Sequence, residues 1–556
     1  MGYSVRGLVQ TKTTIITVLM TSPLPLRALS FGFVVAIALP LLAVGLFGLL
    51  ALKDLSALAW LGQTVLPLYV WNSLLLCLGA LAVALLLGLP PAWFCTQYEF
   101  ALRRWAEWAM ILPLAMPAYV VAFAYTDALD YSGWLSTLMR EALLATGFFS
   151  VDTLRSVWPE IRSLPGACLV LGAALSPYVS LLAKSAFEDR PTSLAEVSRS
   201  LGLTASQAYF RVILPVARPA IVAGSALVVM ECLADYGTVA FFSVQTLSTG
   251  LFKTWFGYGD QNSAALMGLF MLLIAIAILG WERAARGRAR YEAQGSSTTN
   301  RRALEGSSRI WVPVLSLVGG VIGFFIPLAL LVHAAATADE LAGLEKLMSQ
   351  AWYTALYGFY ALLTIIPIAL LIAYGQRLNQ SQAFRYTVRM ASSGYAVPGM
   401  VVAIGLLACS SVLTQLLYTN FDLRFTLTAT SLLVVGGYLT RFFTVGFSTI
   451  EVGLARITPS LDQSARSLGL SSRGVLLHVH LPILRRAAFV ASLLVFVDVV
   501  KELPLTLVLR PVNVETLAVA AYQFAADERL ADAALPSIAI AMVGLLPLLL
   551  LGPRLR

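Results

Sequence analysis

Runs of apolar residues long enough to cross a bilayer set the first limit on this fold. A membrane helix needs about 20 such residues. Runs of that size lie near 28–52, 68–90, 106–127, 165–187, 217–243 and 264–282. A second set lies near 311–334, 352–374, 389–411, 427–447, 484–509 and 534–552. Inside hydrocarbon every backbone N–H and C=O must bond within the protein, and a helix does this within one segment. The expected fold class is an all-α polytopic membrane protein with about 12 transmembrane helices. Charge agrees: Asp, Glu, Lys and Arg make up 12% of the 556 residues, where soluble proteins carry roughly 25%. The first run is long for the apolar core of a signal peptide and lacks a small-residue cleavage site, so it reads as a retained span.

The gaps between runs alternate in charge. One set holds Arg6, Lys12 and Arg27; Arg103 and Arg104; Lys184 to Arg218; Arg283 to Arg309; Arg377, Arg385 and Arg389; Arg456 to Arg486; and Arg554 with Arg556. The other carries Asp54, Asp130, Asp152, Asp260, Asp339, Asp422, Asp527 and Asp532. By the positive-inside rule the basic set, and both termini with it, faces the cytoplasm. That pattern accounts for the net charge of +9 and leaves no long basic face for nucleic acid. The five cysteines are scattered with no CxxC among them, which supports neither a disulfide framework nor a thiolate metal site.

Residues 283–309, rich in Arg, Ser, Gly and Thr, read as a linker between an N-terminal half, 1–282, and a C-terminal half, 310–556. Six spans in each half make these parallel repeats. A duplicated polar segment supports the division. The first copy runs from Ser193 through Leu203 to Leu214-Pro215, and the second from Ser460 through Leu470 to Leu481-Pro482. With a shift of 267, residues 191–215 and 458–482 are identical at ten of 25 positions. Met116-Pro117-Ala118-Tyr119-Val120-Val121-Ala122 is echoed by Val397-Pro398-Gly399-Met400-Val401-Val402-Ala403. The approach from Phe187 to Leu201 is seven residues shorter than that from Phe447 to Leu468.

Each copy reads as a short amphipathic helix, a glycine that turns the chain, and a second short piece. Gly202 and Gly469 permit a turn that a side chain would hinder. Pro215 and Pro482 are expected to reset the chain before the next span. Two polar copies in a membrane chain point to two equivalent docking points for something outside the bilayer.

These stretches resemble the cytoplasmic EAA motif of binding-protein-dependent ABC importer permeases: EAA, three residues, Gly, nine residues, then I-x-L-P. The first copy gives Glu196-Val197-Ser198, Gly202 and Val212-Ile213-Leu214-Pro215. The second gives Gln463-Ser464-Ala465, Gly469 and Val479-His480-Leu481-Pro482, with Gln463 in place of the acid. The resemblance implies a type I ABC importer permease fold in a bacterial inner membrane. It also implies coupling helices that dock on two copies of a separate ABC ATPase, which holds the ATP and magnesium, and a periplasmic substrate-binding protein as second partner. The residues it assigns to ATPase coupling are Glu196, Ser200, Leu201, Gly202 and Pro215, with Gln463, Ser467, Leu468, Gly469 and Pro482. Asp235-Tyr236-Gly237-Thr238, Thr249-Gly250-Leu251-Phe252-Lys253 and Lys501-Glu502-Leu503-Pro504 are similar to the iron(III) branch of that family. Thiamine and polyamine permeases share the architecture and are the alternative, with a secondary transporter behind them.

No GxxxxGK[ST] phosphate loop occurs, so the chain is not its own P-loop ATPase. The three histidines, His333, His478 and His480, form no HExxH or triad, and His478 and His480 read as solvated loop residues. The chain is expected to be non-enzymatic, with no cofactor or metal of its own. Ionisable residues within a span are costly and mark interiors or aqueous paths. Glu231 and Asp235 stand four apart, as do Asp498 and Glu502, and the pairs align under the same shift of 267. At 1.5 Å per residue, Glu231 lies about 24 Å beyond Pro215 and Asp235 about 30 Å beyond it. One reading makes these four acids, with Lys501, a cation-tolerant path or gate. The other has them cap helix ends or pair with basic neighbours such as Arg510.

Overall fold

The computed structural model describes residues 24–53, 59, 62–188, 200, 202–286, 301–337, 343–379, 381–423, 426–428 and 430–551. The apolar runs form helices. The elements used below are α1 (Leu24–Ala51), α2 (Leu66–Gln97), α3 (Arg103–Ala109), α4 (Ala118–Leu129), α5 (Trp134–Ala145), α6 (Leu164–Glu188) and α7 (Leu214–Ala234). They continue with α8 (Gly237–Phe241), α9 (Gln261–Arg286), α10 (Ser308–Gly320), α11 (Ile326–Thr337), α12 (Leu344–Leu378) and α13 (Gly399–Phe421). The last are α14 (Ser431–Ala455), α15 (Pro459–Ser467), α16 (Leu481–Lys501), α17 (Pro504–Leu509), α18 (Leu517–Ala526) and α19 (Leu530–Leu551).

Among the described residues, ten helices are long and apolar enough to span a membrane, or eleven if one bent pair counts. The chain is an all-α, multi-pass membrane protein, and the difference from twelve has two causes. The run near 106–127 breaks by 96° between Arg103–Ala115 and Ala118–Ala145, at Met116-Pro117, where proline cannot continue the helical ladder. The run near 484–509 breaks after Lys501 and resumes as the short α17, and α16 carries Arg485, Arg486, Asp498 and Lys501, too many charges for an ordinary span. The expected run at 389–411 also shifts. Ser392–Ala396 forms a 3-10 turn, and α13 starts only after Pro398.

The chain packs as two compact units that do not follow chain order. One gathers Met1–Leu46, Ala355–Val499 and Leu509–Val512. Its core joins Val34 and Ile37 of α1 to Ile372, Phe384, Phe443, Phe447, Ile450 and Leu484. The Ser30 hydroxyl ties α1 to α12 through the Leu371 carbonyl at 3.2 Å. The other unit gathers Phe47–Thr354, Val500–Val508 and Asn513–Arg556. A core there joins Ala92, Cys95, Met110, Ala183, Phe187, Ile213 and Ala217, with Leu317 of α10 packed against it. So the leading helix of the N-terminal segment packs in a unit built mainly from the C-terminal segment, while α10 and α11 pack with the N-terminal one.

Helices α2 and α6 meet closely through small residues, Cys77, Ala80, Ala84 and Gly88 on one side and Cys168, Gly172, Ala173 and Ser176 on the other. This is the packing that lipid-embedded helices favour. Part of the segment taken as linker is ordered: Arg302–Ala303 pairs in parallel with Tyr98–Glu99. Charges gather at this end of the unit, with Arg103 bonded to Glu107 at 2.8 Å and Lys184 3.4 Å from both Glu107 and Glu188.

Candidate functional site

The second copy of the duplicated segment lies outside the apolar spans and is described completely. Thr458 is extended, Pro459 opens α15, and the helix ends at Ser467 with Leu468 as its C-cap. Gly469 follows at φ +86. The Gly469 N–H bonds the Arg466 carbonyl at 2.9 Å and the Leu470 N–H reaches Ala465 at 3.2 Å. Those two bonds are a Schellman C-cap, which needs a left-handed residue where a β-carbon is penalised. A β-carbon on Gly469 would meet nothing within 4 Å, so the backbone alone requires glycine here. Ser471 then caps the next turn, accepting from the Gly474 N–H at 3.2 Å.

Only the buried face of α15 has apolar support. Gln463, Arg466, Ser467 and Gly469 are exposed. Leu468 is 85% exposed and Leu461, seven residues earlier on the same face, 40%. A leucine left bare on a polar tip is the kind of surface a partner covers.

In the first copy, Glu196 and Leu201 lie outside the described residues. Ser200 is helical and exposed, and Gly202 has φ +79. Thr204 and Gln207 exchange bonds, Thr204 N–H to Gln207 Oε1 at 3.0 Å and Gln207 N–H to Thr204 Oγ1 at 3.4 Å, the reciprocal pattern of a capping box.

Pro215 and Pro482 do not reset the chain. Each sits in a continuing helix, two residues after the end of a π-turn at Tyr209–Ile213 or Leu476–His480. The Leu214 N–H bonds Tyr209 and the Leu481 N–H bonds Leu476, five residues back. A proline ring in a regular helix clashes with the carbonyl four residues back, and the wider turn relieves that crowding. The same device recurs at Val321–Phe325 ahead of Pro327. There the Tyr125 hydroxyl takes up the Ile322 carbonyl at 2.6 Å.

The duplicated acids divide into two roles. Asp235 follows the last residue of α7 and caps α8, accepting from Thr238 N–H at 3.1 Å, Thr238 Oγ at 3.0 Å and Val239 N–H at 3.2 Å. Glu502 follows α16 and caps α17 in the same way, accepting from Leu505 N–H at 3.0 Å, Thr506 N–H at 2.9 Å and Thr506 Oγ at 2.8 Å. A carboxylate bonded to free helix N–H groups is a strong, charge-assisted cap. Glu231 and Asp498, one turn earlier, are half-buried. Lys501 donates to the Leu114 carbonyl at the break between α3 and α4, and its own carbonyl accepts from the Tyr119 hydroxyl at 3.3 Å. Gly237 lies against Tyr119 and Leu503, with no room for a β-carbon between them.

Residues 84–290, which include the first coupling segment, match the family described as binding-protein-dependent transport system inner membrane component. Across 86% of this chain, the sequence is 25% identical to an Fe(3+)-transport system permease protein of Haemophilus influenzae, covering 88% of that protein. Residues 84–290 belong to the binding-protein-dependent transport permeases. Shorter similarities reach a spermidine/putrescine transport system permease protein of Haemophilus influenzae and a probable sulfate transport system permease protein of Nephroselmis olivacea. The first is 31% identical over 30% of this chain and 56% of the relative. The second is 27% identical over 36% of this chain and 69% of the relative.

The chain has one further polar feature at the far ends of α4, α6 and α11. A cavity of about 560 Å³ is lined by Asp127, Asp130, Trp134, Arg162, His333 and Glu528, among others. Arg162 bonds Glu528 at 2.8 Å, approaches Asp130 at 3.5 Å and lies 5.0 Å from the Phe241 ring centroid. Sequence reasoning missed this cluster because its members are spread over 400 residues of chain. It also missed the buried centre beneath the second coupling segment. His480 is fully buried, not a solvated loop residue, and its Nε2 lies 2.7 Å from Asp462 Oδ1. Arg377 Nε meets the other oxygen of Asp462 at 2.7 Å. Burial pushes the Asp462 carboxyl upward, but the bonds from Arg377 and His480 outweigh it and hold the group below its usual range, so it stays ionised at neutral pH.

Proposed function

We propose that this permease forms the membrane pathway of an ABC importer for iron(III). In this reading a binding protein delivers substrate at the side carrying Asp130 and Glu528. Two copies of a separate ATPase, holding ATP and magnesium, dock on residues near 194–206 and 461–473. The chain performs no chemistry of its own, and both termini face the cytoplasm of a bacterium. Closure of the ATPases moves the coupling helices and with them the spans, alternating access to the path.

The observation that carries the reading is the duplicated coupling segment. Both copies keep a left-handed glycine and a leucine-proline π-turn, and the second presents a bare leucine at its tip. Iron is favoured over a polyamine because similarity to the iron permease runs through both copies, while similarity to the polyamine permease covers under a third of the chain. Asp235, Glu502 and Lys501 then act beside the path by fixing the turns that end α7 and α16, with Glu231 and Asp498 one turn deeper. The test is uptake of radiolabelled iron(III) by cells dependent on this chain. Uptake should require ATP hydrolysis and persist without an ion gradient. Uptake of spermidine in place of iron would replace the substrate, and uptake driven by a proton gradient alone would replace the mechanism.

A further inference from the structure

The second coupling helix is fastened to its spans by charge. Asp462, in the first turn of α15, is only 14% exposed although it lies outside the apolar spans. Its oxygens are divided between two elements: Arg377, one residue from the end of α12, and His480, in the π-turn that opens α16. Arg377 has further work at the same place. Its Nη1 donates to the Leu454 and Ile457 carbonyls at 3.0 and 2.9 Å, and its Nη2 to Thr458 at 3.2 Å. One guanidinium thus ties the end of α14 and the start of α15 to α12. His480 packs edge-on to Tyr374, ring centroids 5.2 Å apart, and the Tyr374 hydroxyl bonds the Ser472 carbonyl at 2.8 Å. The His480 Nδ1 has no hydrogen-bond partner among the described residues, so Asp462 is the imidazole's polar anchor.

The first copy is built differently. The position of His480 is taken by Ile213, buried among Ala92, Cys95, Ala183 and Phe187, and that of Asp462 by Ala195, outside the described residues. Apolar contact is non-directional and tolerates sliding. An ionised carboxylate held at 2.7 Å by two partners fixes direction and distance.

We propose that Asp462, clamped by Arg377 and His480, is the joint through which movement of α15 is passed to α12, α14 and α16, and that the three are positioning residues for energy coupling. The proposal rests on the ATPase docking argued above. A residue that merely stabilised the fold would change how much complex survives. A transmitting joint changes how much substrate moves per ATP.

The experiment uses the full permease purified with its ATPase, with ATP hydrolysis and radiolabelled iron(III) transport measured on the same preparation. Asp462→Asn should keep the ATPase bound and hydrolysing while iron moved per ATP falls about tenfold, the size of an ordinary coupling free energy. Asp462→Glu, which keeps the charge, should hold the ratio within about twofold on the same scale. The double variant D462A/H480I rebuilds the apolar base of the first copy and relieves the buried imidazole. It should recover the midpoint of thermal unfolding but leave the ratio low. An unchanged ratio in Asp462→Asn, or a restored ratio in D462A/H480I, would overturn the joint. No ATPase purifying with the unaltered chain would overturn the docking reading, and the joint with it.

Discussion

The two copies of the duplicated segment share a backbone plan and differ in what lies beneath it. Both use a glycine at positive φ, +79 at Gly202 and +86 at Gly469, and both enter the next span through a π-turn ahead of proline. Under the first, Ile213 fills an apolar core. Under the second, Asp462, Arg377 and His480 form a shielded ionic centre. Duplication has kept the left-handed glycine and the leucine-proline turn and changed what packs beneath them. If Asp462 is the joint proposed above, the glycine turn is the common requirement and the two copies hold it with different stiffness.

The largest break in the comparison should come from the shared tip. Leu468→Asp alters a residue that is 85% exposed, so stability should move by less than about 0.5 kcal/mol. Binding of the ATPase, measured by co-purification, should fall at least tenfold, the cost of one buried interface anchor. Next comes the backbone. Gly469→Val meets no side chain, but a β-branched residue in the left-handed region costs about 1–3 kcal/mol. Thermal unfolding and ATPase coupling should both show it. Gly202→Val carries the same local strain, yet its apolar base should dampen the loss of coupling, and equal losses would argue against different stiffness.

The bases themselves can be exchanged in part. Ile213→His places an imidazole in an apolar core with no acid at Ala195, at a cost of about 1–3 kcal/mol for an unmatched polar group. That loss should appear as lower thermal stability, with iron moved per ATP unchanged in the complex that survives. The smallest effects are expected at the outer caps. Asp235→Asn and Glu502→Gln keep some hydrogen bonding and lose charge, so each should cost about 1 kcal/mol. Iron uptake should fall a few-fold in both, because the two caps have the same geometry.

Much of this was legible in the sequence, and what was not has physical causes. Span positions follow from apolar length, since the bilayer leaves the backbone few alternatives. The break at Met116-Pro117 was hidden because apolar composition continues across it, although the proline was a warning. The π-turns escaped because a leucine-proline pair reads as a new start, and only the structure shows the preceding turn widening to accept it. The caps carried a readable signal. Asp235 precedes Thr238 and Val239 by three and four residues, and Glu502 precedes Leu505 and Thr506 by the same spacing, as a side chain bonding helix N–H groups requires. The joint could not have been read. Arg377, Asp462 and His480 lie on three elements separated by up to 103 residues, and nothing local marks a histidine in a basic loop as buried.

The central claim is that the duplicated segment provides two docking points for an ATPase, differently wired to one permease. The most direct measurement is the mass of the detergent-solubilised complex, giving the number of ATPase subunits per permease chain. The account predicts two bound to the unaltered chain, and two still bound in Asp462→Asn despite its reduced coupling. One subunit or none on the unaltered chain would contradict it.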